Sequence, residues 1–233
     1  MRAALGIDRL QAVYDRVAKR YDFQHAFLTA GSDQRGRQLL LEQAVNPGDS
    51  VLDCGAGTGS TGLLAARKTG KAGKVVLFDL SEGMLAVAKQ RAGQEQLLDR
   101  MEFRSGDMLQ LPFADCSFDV VLSTYSMCPV YDPAGAAAEA YRVTKLGGRI
   151  GIAHSTDPRT PWVKWIADRI ETVTWRVASI SLGCRSVEVL PTLERLGCTV
   201  IYKKYTGVPL WPFLVFTVEK AITQSSPSAC RSG

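Results

Sequence analysis

Two short runs, KVVLF (74–78) and DVVLS (119–123), are apolar at almost every position rather than at every second one. A strand with one wet face alternates; a strand covered on both faces does not. Such strands belong to parallel sheets with helices on both sides. Between them the apolar residues recur at helical spacing, so parallel βαβ units are expected. The order read from the pattern is strand 50–54, helix 58–68, strand 74–78, helix 82–92, strand 101–105, strand 117–123, helix 132–143 and strand 148–154. Helix 161–178, helix 186–196 and strands 198–205 and 212–220 complete it. The short link between the last two strands suggests an antiparallel pair at one edge. The expected class is α/β, with a seven-stranded, mostly parallel sheet.

Two helices precede the first strand. One covers 8–20, with Asp8 as a candidate N-cap, and one covers 33–45, ended by Asn46-Pro47-Gly48. Between them lies a loop carrying Tyr21, Phe23 and Phe27. The expected layout is one domain over 1–222, with 1–46 as a helical cover, 50–155 as a binding core, 156–222 as late helices and strands, and 223–233 as a disordered tail. A chain of 233 residues, 46% hydrophobic and 22% charged, fits one sizeable core. The net charge of +5 is spread in singles and pairs, which argues against dedicated nucleic-acid binding. Six cysteines without a CxxC pair, and two histidines, argue against a zinc site; reduced thiols and a cytoplasmic location are expected. No apolar signal segment opens the sequence. The run Val208–Val218 is broken by Pro209 and Pro212 and is about half of a membrane helix, so no transmembrane segment is expected. It reads as a buried edge strand, with peripheral membrane contact as the other reading. The oligomeric state is not legible.

The stretch VLDCGAGTGSTG (51–62) is strand, glycine-rich turn and helix start. Gly55, Gly57 and Gly59 let the backbone bend and let a ligand approach, and the helix start aims free N–H groups at it. No lysine follows Gly59, so the turn is not a triphosphate loop. Gly57–Gly62 fits the dinucleotide spacing GxGxxG one turn late, which leaves Asp53 unexplained. A carboxylate at the strand end disfavours a diphosphate and favours a ligand with an ammonium group.

Asp79 ends the second strand about twenty residues later. It can accept from both ribose hydroxyls, or it or Ser81 can cap the next helix. Asp107 follows the third strand in Ser105-Gly106-Asp107-Met108. It can accept from an exocyclic amine beside the apolar face of Met108, or be an ordinary loop aspartate. Asp119 is as readily a strand-start residue as a functional one.

Together, Asp53-x-Gly-x-Gly-x-Gly, Asp79, GlyAspMet…LeuProPhe (106–113), SerPheAspValVal (117–121) and TyrArgValThrLysLeuGlyGly (141–148) resemble a class I S-adenosylmethionine-dependent methyltransferase, a Rossmann-like fold. The match runs in register from Val51 to Ser155. ValTyrAspArgValAlaLysArgTyrAsp (13–22) resembles the N-terminal segment of the ubiquinone/menaquinone C-methyltransferase group, which lies over the cofactor. The resemblance implies S-adenosylmethionine as cofactor. It places Asp53 and Gly55 by its methionine end, Gly57, Thr58 and Gly59 along its backbone, and Thr124 facing the methionine portion. Asp79 holds the ribose between Leu80 and Met84, Asp107 and Met108 hold the adenine, and Tyr21 closes the pocket. Two departures concern the acceptor. The quinone-type enzymes carry glycine-leucine-arginine-asparagine after strand four, where this chain has Ser126-Met127-Cys128-Pro129. Where they carry an acidic residue after strand five, this chain has His154.

Methyl transfer from a sulfonium needs alignment and a dry pocket. A phenol-like acceptor also needs its proton removed, and His154 is the candidate base, with His25 second. Phe23, Phe27, Tyr125, Met127, Tyr131, Trp162, Trp165 and Trp175 suggest a small apolar or aromatic acceptor, such as a quinone precursor. Transfer to oxygen, nitrogen or sulfur of another small molecule or lipid head group is the alternative. Other classes are a cofactor-binding protein without turnover and an NAD-dependent enzyme.

Overall fold

The computed structural model describes residues 6–18, 32–158, 160–174 and 186–222. Helices α1 (Ile7–Val17) and α2 (Ser32–Ala44) precede strand β1 (Ser50–Cys54). There follow α3 (Ser60–Thr69), β2 (Lys74–Asp79), α4 (Glu82–Gln94), β3 (Met101–Ser105) and β4 (Phe118–Thr124). The chain continues through α5 (Pro133–Val143), β5 (Thr144–Ser155), α6 (Pro161–Thr174), α7 (Leu190–Arg195), β6 (Cys198–Val208) and β7 (Trp211–Lys220).

The seven strands form one sheet in the order β3-β2-β1-β4-β5-β7-β6. The first five are parallel, and β7 runs antiparallel between β5 and β6. This is the expected α/β class with its antiparallel pair. The order reverses direction between β1 and β4, and a crevice opens there at the carboxyl ends of the strands.

The two faces of the sheet explain the unbroken apolar runs. Leu52, Val76, Phe78, Val121, Ile150 and Phe216 pack on one side with Ala136, Ala140 and Leu193 of α5 and α7. Val51, Val75, Leu77, Val120, Leu122 and Val215 pack on the other with Leu40, Leu63 and Ala88 of α2, α3 and α4. Alternate residues of these inner strands thus reach opposite cores, which leaves few positions for polar side chains.

Several boundaries differ from the sequence pattern. Gly6, not Asp8, precedes α1, and Asp8 sits in its first turn, where a carboxylate suits the helix dipole. Helix α3 starts at Ser60 because Gly59 is its N-cap in the left-handed region, φ 82°. Lys145–Gly148 is a bulge within β5: Phe118 pairs with Thr144 and Val120 with Arg149, so these four residues stand opposite the single residue Asp119. Helix α7 is only six residues, because Pro191, with no N–H to donate, fits only the first turn. The run expected at an edge is β7, which is interior, with Phe213–Val218 buried; β6 is the edge. Residues 175–178 of the expected helix and the 223–233 tail lie outside the described residues. Cys54, Cys128 and Cys198 are buried thiols outside any disulfide, whereas Cys116 is disulfide-bonded, which corrects the expectation of reduced thiols throughout. No helix among the described residues is long and apolar enough to cross a membrane.

Candidate cofactor site

A cavity of about 800 Å³, its open mouth included, lies at the carboxyl ends of β1, β2, β3 and β4. Its floor begins where β1 ends. Gly55 turns with φ 71°, and its N–H donates to the Phe78 carbonyl at 2.7 Å. A Cβ on Gly55 would lie 2.3 Å from Ser126 Cβ and 2.9 Å from Met108 Cε. Only glycine lets the turn run this close to the two neighbouring loops.

The next wall comes from β2. Asp79 lines the cavity, and its two carboxylate oxygens accept from the Gly57 amide at 2.7 Å and the Ser81 amide at 2.9 Å. Burial pushes its pKa up, and the two amides offset part of that. The cap of α4 is Ser81, whose hydroxyl accepts from Met84 N at 3.0 Å. Asp79 is therefore not needed as a cap, and each oxygen retains a lone pair for a ligand. Leu80 and Met84 line the cavity beside it.

Asp107 and Met108 form the wall after β3, with Asp107 accepting from Leu109 N at 3.0 Å. After β4, Thr124, Tyr125 and Ser126 line the opposite side. Tyr125 adopts φ 59°, a conformation that costs an aromatic residue roughly 1–3 kcal/mol. Its N–H donates to Ala153 O at 2.7 Å, its hydroxyl to Asp33 O at 3.3 Å, and its ring packs on Phe213, which together hold it there. By contrast Asp119 is structural: it accepts from Ser50 N at 2.9 Å and from Lys145 Nζ at 2.8 Å.

Helix α1 supplies the cover. Ile7, Leu10, Gln11 and Tyr14 line the cavity, while Val17 and Ala18 pack on Met84. Asp15 ties α1 to the start of α4, accepting from the Ser81 hydroxyl and from Gly83 N at 3.2 Å.

Of the residues singled out in sequence, Gly55, Gly57, Asp79, Leu80, Met84, Asp107, Met108 and Thr124 meet in this cavity. Asp53, Thr58 and Gly59 do not line it. Asp53 is fully buried beneath the turn. Burial pushes its pKa up to about 7, against the pull of Arg37 and with a push from Asp79. The Gly62 amide eases this slightly but forms no aligned hydrogen bond, and neither oxygen has a partner among the described residues. Thr58 receives Arg91 Nη1 on its carbonyl at 3.1 Å, and Gly59 lets α3 pack against Ala88 and Leu77. Tyr21, with His25, Phe23, Phe27 and Trp175, lies outside the described residues.

His154 is also away from the cavity, which removes the geometric ground for reading it as the base. It sits within β5 opposite Leu214, fully buried, with its ring edge-on to Phe216. Nδ1 donates to Ser155 O at 2.9 Å, Nε2 has no partner among the described residues, and burial pushes its pKa down. Among the expected acceptor aromatics, Tyr125 and Tyr131 line the cavity; Met127 is core, and Trp162 and Trp165 are exposed on α6.

Arg37 of α2 was not singled out in sequence. It is buried, and Nη1 donates to the hydroxyls of Thr61 and Thr124 at 2.6 Å each. Its position was readable: Asp33, Arg37, Leu40, Leu41 and Ala44 form the buried stripe of α2.

A methyltransferase-domain model matches residues 45–194. The ubiquinone/menaquinone biosynthesis C-methyltransferase UbiE of Xanthomonas oryzae pv. oryzae is 33% identical over 157 residues, 67% of this chain and 62% of that protein. The chain thus spans somewhat less than two thirds of that relative. The demethylmenaquinone methyltransferase of Renibacterium salmoninarum is 35% identical over 179 residues, 74% of this chain and 71% of that protein. Among solved structures, the [4+2]-cyclase SpnF superposes with a TM-score of 0.72 at 18% identity, over 96% of this chain and 99% of its own. With the strand order, the glycine turn and the carboxylates at successive strand ends, these matches show that the chain belongs to the methyltransferase-domain family and has the class I fold.

Proposed function

We propose that this protein binds S-adenosylmethionine in the cavity and transfers its methyl group to a small apolar or aromatic acceptor. One observation carries the reading. Gly55, Asp79, Asp107 with Met108, and Thr124 stand at the ends of four adjacent strands around one cavity. That order suits an elongated ligand with an amino-acid end, a ribose and a purine. The residues fit the group: Asp79 has lone pairs for two ribose hydroxyls, Met108 offers an apolar face, and Asp53, beneath the turn, is a carboxyl that meets no donor among the described residues. Bound there, the cofactor supplies a methyl group on a sulfonium, already activated for displacement.

The chain's own residues then bind, orient and keep water out. Asp79 and Asp107 fix the adenosine side. Thr124 and Ser126 hold the turn between β4 and the cavity, Ser126 by donating to Cys54 O at 2.9 Å. Ile7, Leu10, Pro129 and Val130 give the remaining wall an apolar lining, which favours an acceptor of the same character. The similarity to UbiE and to the demethylmenaquinone enzyme supports carbon methylation of a quinone precursor. Where the quinone-type group it resembles carries arginine-asparagine, this chain has Cys128-Pro129, which favours an acceptor with a different polar edge.

The decisive measurement is calorimetric titration with S-adenosylhomocysteine, followed by methyl transfer from labelled cofactor to a panel of phenols, naphthols and quinols. Binding with turnover on an aromatic carbon supports the reading; no binding sinks it. Binding without transfer to any acceptor favours another use of the same fold, of which SpnF, titled a [4+2]-cyclase, is an instance.

A further inference from the structure

Beneath the cavity lies a buried cation whose bonding is incomplete. Arg37 is 6% exposed. Its Nη1 serves two hydroxyls, while Nε lies 3.8 Å from Asp33 Oδ2, too far for a hydrogen bond, and has no other partner among the described residues. A buried ion with one nitrogen left without a hydrogen bond is a poor way to stabilise a fold, since an apolar side chain of similar volume usually serves as well. Its partners point to another use. Thr61 and Thr124 hydroxyls are 2.6 Å apart, and each already accepts from Arg37. Only one hydroxyl hydrogen can lie between them. Thr61 is fully buried, whereas Thr124 lines the cavity. With Thr61 donating to Thr124, the Thr124 hydrogen is left for the cavity, backed by a guanidinium. A donor with a fixed positive charge behind it suits an anion. Asp53, buried under the same turn, is a carboxyl with no hydrogen-bond donor among the described residues, and it does not line the cavity.

We propose that Arg37 is a positioning residue that, through Thr124, selects the carboxylate of an amino-acid-bearing ligand in this cavity. The proposal rests on the cofactor reading above and deepens it. The alternative is that Arg37 only staples α2 to β4.

The test titrates wild type and Arg37→Met with S-adenosylhomocysteine and with its decarboxylated analogue, which keeps the adenosine and the ammonium. The expected result is that Arg37→Met weakens S-adenosylhomocysteine at least tenfold and the analogue less than twofold. Equal weakening of both ligands, or no weakening in a folded variant, overturns the proposal. If Arg37→Met does not fold, Thr124→Val removes the donor alone, and the same split is required of it. Wild type that binds both ligands equally well overturns this assignment and spares the cofactor reading. Wild type that binds neither overturns both.

Discussion

Arg37 Nη1 lies 2.6 Å from the Thr124 hydroxyl across 87 positions of sequence. The bond joins the second helix to the end of β4, where the chain leaves the sheet through the left-handed Tyr125. The guanidinium also lies 5.1 Å from the Tyr125 ring centroid. One side chain of α2 thus holds both residues that begin the β4 wall of the cavity, and it is the positive charge acting on buried Asp53.

Asp53 should therefore cost stability at neutral pH. Its pKa is raised to about 7 in the fold, so below that value the native state keeps a proton that the unfolded chain has released. Its contribution to stability falls as pH rises from the ordinary carboxylate range to about 7, and is flat above. The slope is at most about 1.4 kcal/mol per pH unit. Asp53→Asn should raise the melting temperature at pH 8, with little gain at pH 4, while weakening S-adenosylhomocysteine. Melting curves across pH check this. A variant less stable than wild type at pH 8 contradicts it.

Asp79→Ala should weaken S-adenosylhomocysteine by about 10- to 100-fold, since a hydrogen bond to a charged group contributes roughly 1.5–3 kcal/mol. The side chain also holds the Gly57 amide, so part of the loss is turn disorder. Asp79→Asn keeps an acceptor for that amide and loses the charge. Calorimetry should place it between wild type and the alanine variant.

The sheet was legible because each core strand is apolar on both faces, as in Val75–Phe78. The strand-end carboxylates were legible because Asp53, Asp79 and Asp107 recur at the same place in successive units. The boundaries were less so: the Lys145–Gly148 bulge has the same glycine pattern as a helix-ending turn, and only the pairing of Phe118 with Thr144 distinguishes them. His154 looked like a base because a histidine at a strand end is exposed to a cleft if the strand stops there. Here β5 runs one residue further beside β7, which encloses it. Arg37 was overlooked for the opposite reason: a charged residue in a helix is normally on the wet face, and although it falls on the apolar stripe of α2, its role rests on partners 24 and 87 residues away.

His154→Gln should retain turnover to within a few-fold and leave the pH profile of kcat unchanged. The ring is enclosed, neutral and bonded to its own strand, so it has no path to a proton on an acceptor. A hundredfold fall in kcat, with loss of one limb of the pH profile, would restore the base to this position.

Gly55→Ala should unfold the turn rather than only weaken binding. Backbone at φ 71° costs a residue with a Cβ about 1–2 kcal/mol, and the added carbon overlaps Ser126 Cβ at 2.3 Å. In a chain of this size each kcal/mol lowers the melting temperature by roughly 2–4 °C. Two sources of damage can be separated. Adding Ser126→Gly to Gly55→Ala removes the overlap with Ser126 but leaves the left-handed backbone and the Met108 contact at 2.9 Å. The double variant should recover part of the melting temperature and none of the S-adenosylhomocysteine affinity, because Ser126 also donates to Cys54 O at the end of β1. Full recovery of both would mean that the turn tolerates a side chain and is not the close-approach site its glycines imply.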